Sequence, residues 1–213
     1  AFGADIQAFE ALNSGTRLRI GSETLTGTWE ALREGRADLI VAAGEGPAGG
    51  GHKAVAVGQL DFVFCVTASH PLTRLGRPLA RADLLEHTAV VVGDGARSLA
   101  DRTVGLLTGQ RRITVPSMQA KIECQAAGLG HGFVPRACVR VELETGVLVE
   151  LAVEEPRPPE TFWLAWRSDD PLGAPVGGAV GQLPGGAGRM GPHRRHPVGH
   201  RPRRYLDRSR RPP

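Results

Sequence analysis

The sequence contains few cysteines and no long apolar run, and each shortage excludes a class of protein. Its three cysteines, Cys65, Cys124 and Cys138, are odd in number and form no CxxC pair. This number and spacing predict reduced thiols in a cytoplasmic protein rather than a disulfide framework. No apolar run approaches the roughly 18 residues that a membrane span requires, and no signal peptide opens the sequence as given. We therefore expect a cytoplasmic protein with no membrane partner.

The sequence also lacks the groups of residues that catalysis requires. It has no GxSxG elbow. Asp61, Cys65 and His70 could supply a nucleophile with its base and orienter, but a proline directly after His70 turns the chain away, which favours a buried structural cysteine and a histidine in a turn. His87 and His131 have no carboxylate or thiol at the spacing of metal ligands. The glycines at 128–132 open a predicted strand, whereas a dinucleotide-binding turn opens a helix. We predict no catalytic residue, no metal site, no cofactor and no enzymatic activity.

Positive charge is concentrated at one end of the chain. Residues 177–213 contain nine arginines and one aspartate, so this tail carries +8 and the rest of the chain carries −4. The mildly acidic remainder of the chain lacks the positively charged surface that binding to nucleic acid requires. Binding through the tail alone would be nonspecific and salt-dependent. The tail also has too few apolar residues to offset its ordering entropy. We expect the low-complexity segment 174–213 to be disordered.

One stretch near the amino terminus predicts a short helix followed by a strand. The hydroxyl of Thr26 or Thr28 can cap the helix, and Gly35 stands where a left-handed residue is expected to end it. The following run, Leu39–Ala43, is continuously apolar, which is typical of a strand covered on both faces. This helix-to-strand unit therefore predicts a parallel sheet in an α/β fold.

Similar patterns along the chain predict that helices alternate with strands. Leu18 and Ile20 alternate with polar residues, which indicates a strand at Arg17–Ser22, and Ser117 can cap a helix that Gly128 ends. The predicted core of the first half contains Trp29, Leu32 and Leu39–Ala43. The other predicted strands are Val55–Val57, Phe62–Val66, Thr88–Val92, Arg112–Val115, Gly132–Val134, Val147–Val153 and Thr161–Arg167. The other predicted helices are Ala4–Leu12, Arg81–Glu86 and Arg136–Glu144.

Ligands of open α/β sheets bind beyond the carboxyl ends of the strands, so position alone selects candidate binding residues. One group, Asp94, Arg97 and Ser98, follows the predicted strand Thr88–Val92, and a solvated loop is the alternative interpretation of it. A helix amino terminus near residue 117 favours a carboxylate or another anion. The remaining candidates are Glu23, Thr24, Leu25 and Thr26 after Arg17–Ser22, Pro116 and Ser117 at that helix amino terminus, and Gly132 and Phe133.

Five blocks of sequence carry a resemblance to a known family. They are Gly27–Leu32 with Gly35–Leu39, His70–Leu72, Val115–Ser117, Ala126–Gly130 with Val134–Pro135, and Gly146–Val149 with Leu164–Arg167. In this order they resemble the C-terminal effector-binding domain of LysR-type transcriptional regulators. The resemblance covers about residues 1–173.

The resemblance implies a type 2 periplasmic-binding-protein fold with two doubly wound, Rossmann-like α/β subdomains. It implies that crossing strands near Leu60–Thr67 and Thr161–Arg167 join them. Subdomain I would comprise residues 1–60 with 161–173, and the crossover strand with subdomain II would comprise 61–160. A small-molecule effector, a carboxylate or an aromatic acid, would bind in the cleft between the subdomains. A solute-binding protein for transport, with the same fold, is the alternative function.

The resemblance also implies parts that the sequence as given does not contain. Family members are homo-oligomers that contact promoter DNA through an amino-terminal winged helix-turn-helix, which is absent here together with the first strand of subdomain I. We therefore expect this fragment to be unable to read DNA, and subdomain I to be less stable than subdomain II. The abrupt change of composition after Pro175 leads us to expect a truncated or frame-shifted gene product.

Overall fold

The structure, a computed structural model, describes residues 2–11, 15, 17–44, 46, 50–99 and 104–169. The predicted tail, 174–213, lies outside these residues. The helices are α1 Phe2–Ala11, α2 Thr26–Arg33, α3 Arg81–Leu85, α4 Met118–Ala126 and α5 Arg140–Glu144. The strands are β1 Leu39–Ala43, β2 His52–Leu60, β3 Phe62–Thr67, β4 Ala89–Val92, β5 Arg112–Val115, β6 Gly132–Pro135, β7 Leu148–Glu150 and β8 Glu160–Arg167. No helix in the described part of the chain has the length and apolarity to cross a membrane.

The first lobe consists of helix α2 and a sheet with the strand order β1-β8-β2, in which both pairings are antiparallel. The predicted parallel sheet at β1 is therefore wrong for the described residues. The prediction that β1 is covered on both faces is also wrong, because Ile40 and Ala42 are buried whereas Leu39 and Val41 are 43% and 47% exposed. A continuous apolar run does not reveal which face is covered, and the partner strand β8 comes from the far end of the chain.

The core of the first lobe lies between α2 and one face of this sheet. Trp29 and Leu32 pack against Ile40, Ala42 and Ala165, which confirms the predicted core positions on α2. The helix ends as predicted, because the residue at position 35 has a φ of 71° and its N–H donates to the Leu32 carbonyl. Glycine adopts this left-handed conformation without the penalty that a Cβ imposes.

The predicted strand Arg17–Ser22 is absent, and Leu18 and Ile20 are 44% and 61% exposed. Two alternating apolar residues do not hold an extended segment as a strand unless a neighbour satisfies its backbone N–H and C=O groups. In the described part of the chain, no strand pairs with this segment. The prediction of a strand there is therefore wrong.

The second lobe contains the sheet β6-β3-β7 and the parallel pair β4-β5. The N–H of His131 donates to the Thr88 carbonyl, and the N–H of Val90 donates to the His131 carbonyl, so these hydrogen bonds link the two sets of strands. Strand β3 is buried on both faces: Val63 and Cys65 pack with one core cluster, and Phe64 and Val66 pack with another. The chain crosses between the lobes at the break between β2 and β3. That subdomain I is less stable than subdomain II stays a prediction.

A neutral histidine lies between the strands of the second lobe. His131 is 2% exposed, and its Nε2 lies 3.0 Å from Gln110 Nε2 and 3.2 Å from the carbonyl oxygen of Leu84. The centroid of its ring is 5.1 Å from that of Phe64 and 6.4 Å from that of His70. Burial lowers the pKa of His131 to about 4, because the charged imidazolium is poorly solvated in this environment.

We expect the protein to lose stability as the pH falls from the ordinary histidine value of 6.5 towards 4. In this range the unfolded chain binds a proton at His131 that the folded protein does not bind. Protonation therefore favours unfolding, by up to about 3 kcal/mol. Urea unfolding measured across this range tests the effect. The variant His131→Leu should show a shallower fall in the free energy of unfolding, and an unchanged slope would contradict the assignment.

Candidate functional site

The two lobes meet where the loop before α2 contacts the loop after β4. The N–H of Gly95 donates to the Thr24 carbonyl at 3.1 Å, and the hydroxyl of Thr24 donates to the Gly93 carbonyl at 2.8 Å. Gly27 lies so close that an added Cβ would stand 2.6 Å from the carbonyl carbon of Gly95. The structure therefore brings together two groups of predicted site residues, 23–26 and 94–98. We call this contact between residues 23–30 and 93–99 the junction.

The carboxylate of Asp94 binds the amino terminus of α2. Its Oδ1 accepts the N–H of Gly27 at 3.1 Å, and its Oδ2 accepts the N–H of Thr26 at 3.3 Å. The same carboxylate accepts the N–H of Ala96 at 2.9 Å within its own loop. A negative charge at this end of a helix is favourable because the first backbone N–H groups have no partner within the helix. Asp94 thus ties the second lobe to the helix of the first.

This contact corrects the prediction that Thr26 or Thr28 caps α2 through its hydroxyl. The N-cap residue is Leu25, and no side chain of the local segment caps the helix. Leu25 has φ 49° and ψ −122°, and the N–H of Gly27 donates to the Thr24 carbonyl across it. These angles are those of a type II′ turn, in which glycine is the preferred residue. The acceptor that caps the helix lies 67 residues further along the chain.

A second carboxylate, which is not among the residues predicted from the sequence, completes the junction. Glu30 is fully buried, and it accepts the backbone N–H groups of Arg97 at 2.7 Å, Ser98 at 2.6 Å and Leu99 at 3.0 Å. The hydroxyl of Ser98 also donates to it. This hydroxyl, followed by the N–H of Arg97, lowers the pKa of Glu30 to about 2. The carboxylate is therefore ionised and orders the loop after β4.

The rim of the junction is formed by charged side chains. Arg36 pairs with Glu23 and, at 2.9 Å, with Glu34, and these two hydrogen bonds raise its pKa. Its guanidinium also lies 3.7 Å from Glu30. Arg33 donates to the Ser98 hydroxyl at 2.9 Å. Glu23, a predicted site residue, is thus part of an ion-pair network in this structure.

The other predicted site residues lie in the second lobe, directly after β5 and at the start of β6. Ser117 caps α4, because its hydroxyl oxygen accepts the N–H of Ala120 at 3.1 Å, as predicted. The N–H of Gly93 donates to the Val115 carbonyl at 2.9 Å, which places the junction loop beside the start of the Pro116–Ser117 segment. The ring of Phe133 packs edge-on against another ring in the core, that of Phe64. No hydrogen bond between described residues joins Pro116, Ser117, Gly132 or Phe133 to residues 23–26.

Comparison with known proteins identifies one group of relatives. Residues 5–183 match the family model of the LysR substrate binding domain. The chain is 38% identical over 163 residues to the uncharacterized HTH-type transcriptional regulator YeeY of Escherichia coli K12, covering 76% of this chain and 53% of YeeY. It is 32% identical over 153 residues to the HTH-type transcriptional activator AllS of Salmonella typhimurium LT2, covering 71% and 50% respectively. The chain thus spans about half the length of these relatives.

The fold is similar to that of solved regulatory domains. The regulatory domain of AphB from Vibrio vulnificus superposes with a TM-score of 0.56 at 13% identity, covering 83% of this chain and 89% of that chain. At this identity the likeness concerns the fold alone. It confirms the predicted α/β fold class, that of LysR effector-binding domains.

Proposed function

This chain belongs to the LysR substrate-binding-domain family, and from that premise we propose that it is the effector-sensing module of a bacterial LysR-type transcriptional regulator. Of the relatives that it matches, one is named an HTH-type transcriptional regulator and the other an HTH-type transcriptional activator. In this proposal the intact protein is a cytoplasmic homo-oligomer that contacts promoter DNA through a part other than this domain. The domain binds a small molecule and has no catalytic role.

The polar junction supports this proposal. Carboxylates, hydroxyls and backbone groups join the lobes there, and such contacts exchange readily with water or a ligand, unlike a packed apolar core. A small molecule that contacts both lobes would bind their two arrangements with different affinity and would shift the balance between them. We propose that this shift is the signal. We place the subdomain boundaries at residues 1–60 with 161–173, and at 61–160.

We propose that the binding site includes the loops at residues 23–26 and 94–98, together with the segments at 116–117 and 132–133. The first two loops contact each other directly across the junction. The segment at 116–117 lies next to them, where helix α4 begins. The second lobe therefore supplies polar groups that follow the carboxyl ends of β4 and β5, the usual place for ligands in α/β folds, and the first lobe supplies the loop before α2.

Substitution of Thr24 or Ser117 by alanine is expected to weaken effector binding by about tenfold or more, because each removes a hydroxyl at the proposed site. A thermal-shift screen of the full chain against small carboxylates, amino acids and aromatic acids identifies ligands, because a ligand of the folded state raises the melting temperature. Titration calorimetry then compares the variants with the parent.

Thr73→Ala provides a matched control. The Thr73 hydroxyl also donates to a backbone carbonyl, that of His70 at 2.7 Å, but it lies outside the proposed site. This variant should bind the ligand as the parent does. Equal binding by Thr24→Ala, Ser117→Ala and the control would show that the proposed site is wrong. A screen in which no small molecule raises the melting temperature would contradict the sensing function itself.

A further inference from the structure

A cavity of about 360 Å³ lies in the first lobe, beside the second half of helix α2. Its described lining comes from that half of α2, from the start of β2 and from the end of β8 with the residues that follow it. None of the residues proposed to bind the effector is among this lining. Pockets for small molecules measure roughly 300–1,000 Å³. This space, which we call the α2 cavity, is therefore large enough for a ligand and lies apart from the proposed effector site.

Two of the residues that line the α2 cavity are aromatic. The ring centroids of Trp29 and His52 lie 5.1 Å apart. The loop between β1 and β2 passes close to both rings, because a Cβ at Gly46 would stand 2.9 Å from the Trp29 Cζ3 and 2.9 Å from the His52 Nε2. Trp29 also packs in the core of the lobe with Leu32, another lining residue. Neighbouring groups thus fix an aromatic and apolar surface against which a flat molecule can pack.

The indole N–H of Trp29 is a buried donor without an acceptor. The residue is 5% exposed, and its Nε1 is buried and has no hydrogen-bond partner among the described residues. An indole nitrogen can only donate, and a buried donor that lacks an acceptor is unfavourable. The α2 cavity is the space beside this side chain in which an acceptor from another molecule can lie.

The cationic groups that line the α2 cavity already have partners. The guanidinium of Arg167 lies 3.7 Å from Asp169 and 3.9 Å from Asp38. The guanidinium of Arg33 donates to the Ser98 hydroxyl at 2.9 Å. These contacts occupy the charged groups, whereas the indole N–H, which is neutral, has no acceptor. The lining therefore favours an uncharged ligand with a hydrogen-bond acceptor over an anion.

We propose that the α2 cavity is a second small-molecule site, which binds an uncharged, flat heteroaromatic molecule whose ring nitrogen or carbonyl oxygen accepts the Trp29 N–H. The rings of Trp29 and His52 and the side chain of Leu32 supply the packing surface. The acceptor sets the selectivity, because a molecule of the same shape without one would leave the indole N–H unsatisfied. This inference goes beyond the proposed sensing function and does not depend on it.

NMR spectra of the full chain labelled with ¹⁵N in its tryptophan indoles test the proposal, because the sequence contains only three tryptophans. The probes are quinoline and nicotinamide, which carry acceptors and are uncharged at neutral pH. Indole, which has no ring acceptor, is the counterpart of similar size. We expect both probes to move the Trp29 signal in a saturable manner, and indole to bind about tenfold more weakly than quinoline. The signal of Trp166 should not move, since its neighbour Ala165 faces α2 and Trp166 lies on the other face of the sheet.

The variant Trp29→Phe, with Trp163→Phe as its matched control, supplies a second measurement. Trp163 also has a buried Nε1 without a partner among the described residues, and it packs against the same core, but it does not line the cavity. Each variant keeps an aromatic ring and removes one indole N–H. Titration calorimetry should show quinoline bound about tenfold more weakly by Trp29→Phe and with parental affinity by Trp163→Phe. If Trp29→Phe does not fold, the NMR experiment on the parent chain still decides.

Several results would overturn the inference. They are an unmoved Trp29 signal with both probes, as expected of a cavity that holds only water, equal binding of quinoline and indole, and equal affinities of the two variants for quinoline. The variant Thr24→Ala separates this inference from the proposed function. It should leave the response of Trp29 to quinoline unchanged, because Thr24 does not line the α2 cavity. A loss of that response in Thr24→Ala would show that the two sites are not distinct.

Discussion

Replacement of Gly27 by alanine is expected to destabilise the protein by about 2–3 kcal/mol, as overpacking against rigid atoms does. The new Cβ would stand 2.6 Å from the carbonyl carbon and 2.8 Å from the Cα of Gly95, and neither is the movable end of a side chain. The loops at the junction would have to separate. The hydrogen bonds from α2 to Asp94 would lengthen with them, so the helix would lose its cap.

The direction of this effect is informative because helix propensity predicts the opposite. Alanine within a helix is more favourable than glycine by about 1 kcal/mol, and Gly27 lies in the first turn of α2. Urea unfolding measures the outcome. Gly21→Ala is the matched control, since no atom lies within 4 Å of the position of its Cβ. If Gly27→Ala is as stable as this control, the close contact between the lobes does not exist in solution.

Replacement of Glu30 by glutamine is expected to disorder the loop after β4. The ionised carboxylate accepts hydrogen bonds from three successive backbone N–H groups and from the Ser98 hydroxyl. Glutamine presents one oxygen and one NH₂ group, so N–H donors would face an N–H donor in a buried site. Loss of a buried charged acceptor leaves its donors unsatisfied. A lower melting temperature and faster hydrogen exchange at residues 97–99 are the expected results.

Glu34→Gln is the matched control for this prediction. Glu34 follows the last turn of the same helix, is exposed, and pairs with Arg36 on the surface. Exposed pairs of this kind contribute little to stability. The control should therefore leave the melting temperature and the exchange of residues 97–99 close to those of the parent. Unchanged exchange in Glu30→Gln would show that the carboxylate does not order the loop.

Sequence patterns predicted the elements whose determinants are local. Helix α4 begins after the Ser117 cap and gives way to a glycine with a φ of 76° at position 128, as its residues indicated. The same is true of α2 with Gly35, where a left-handed residue follows the last turn. In each case the residues that start or end the helix lie within a few positions of it. A single sequence contains all of this information.

The predictions were wrong where the structure of an element depends on a segment that is distant in the sequence. Strand β1 is antiparallel because its partner is β8, more than 120 residues further along the chain, as the pairing of Leu39 with Trp166 shows. The cap of α2 is Asp94 rather than a neighbouring threonine. Glu30 and Lys121 look like ordinary polar residues of surface helices, and only the folded chain buries them. No local signal distinguishes a helical glutamate that faces solvent from one that organises a loop of another lobe.

The turn at Leu25 has a consequence for the proposed shift between two arrangements of the lobes. A residue with a Cβ in this left-handed conformation stores about 1–2 kcal/mol of backbone strain, and the hydrogen bonds from Thr26 and Gly27 to Asp94 hold it there. Separation of the lobes would break these bonds and would allow the turn to relax. Since 1.4 kcal/mol corresponds to a tenfold change in an equilibrium constant, an arrangement in which this turn relaxed would be about tenfold more populated than one that kept the strain.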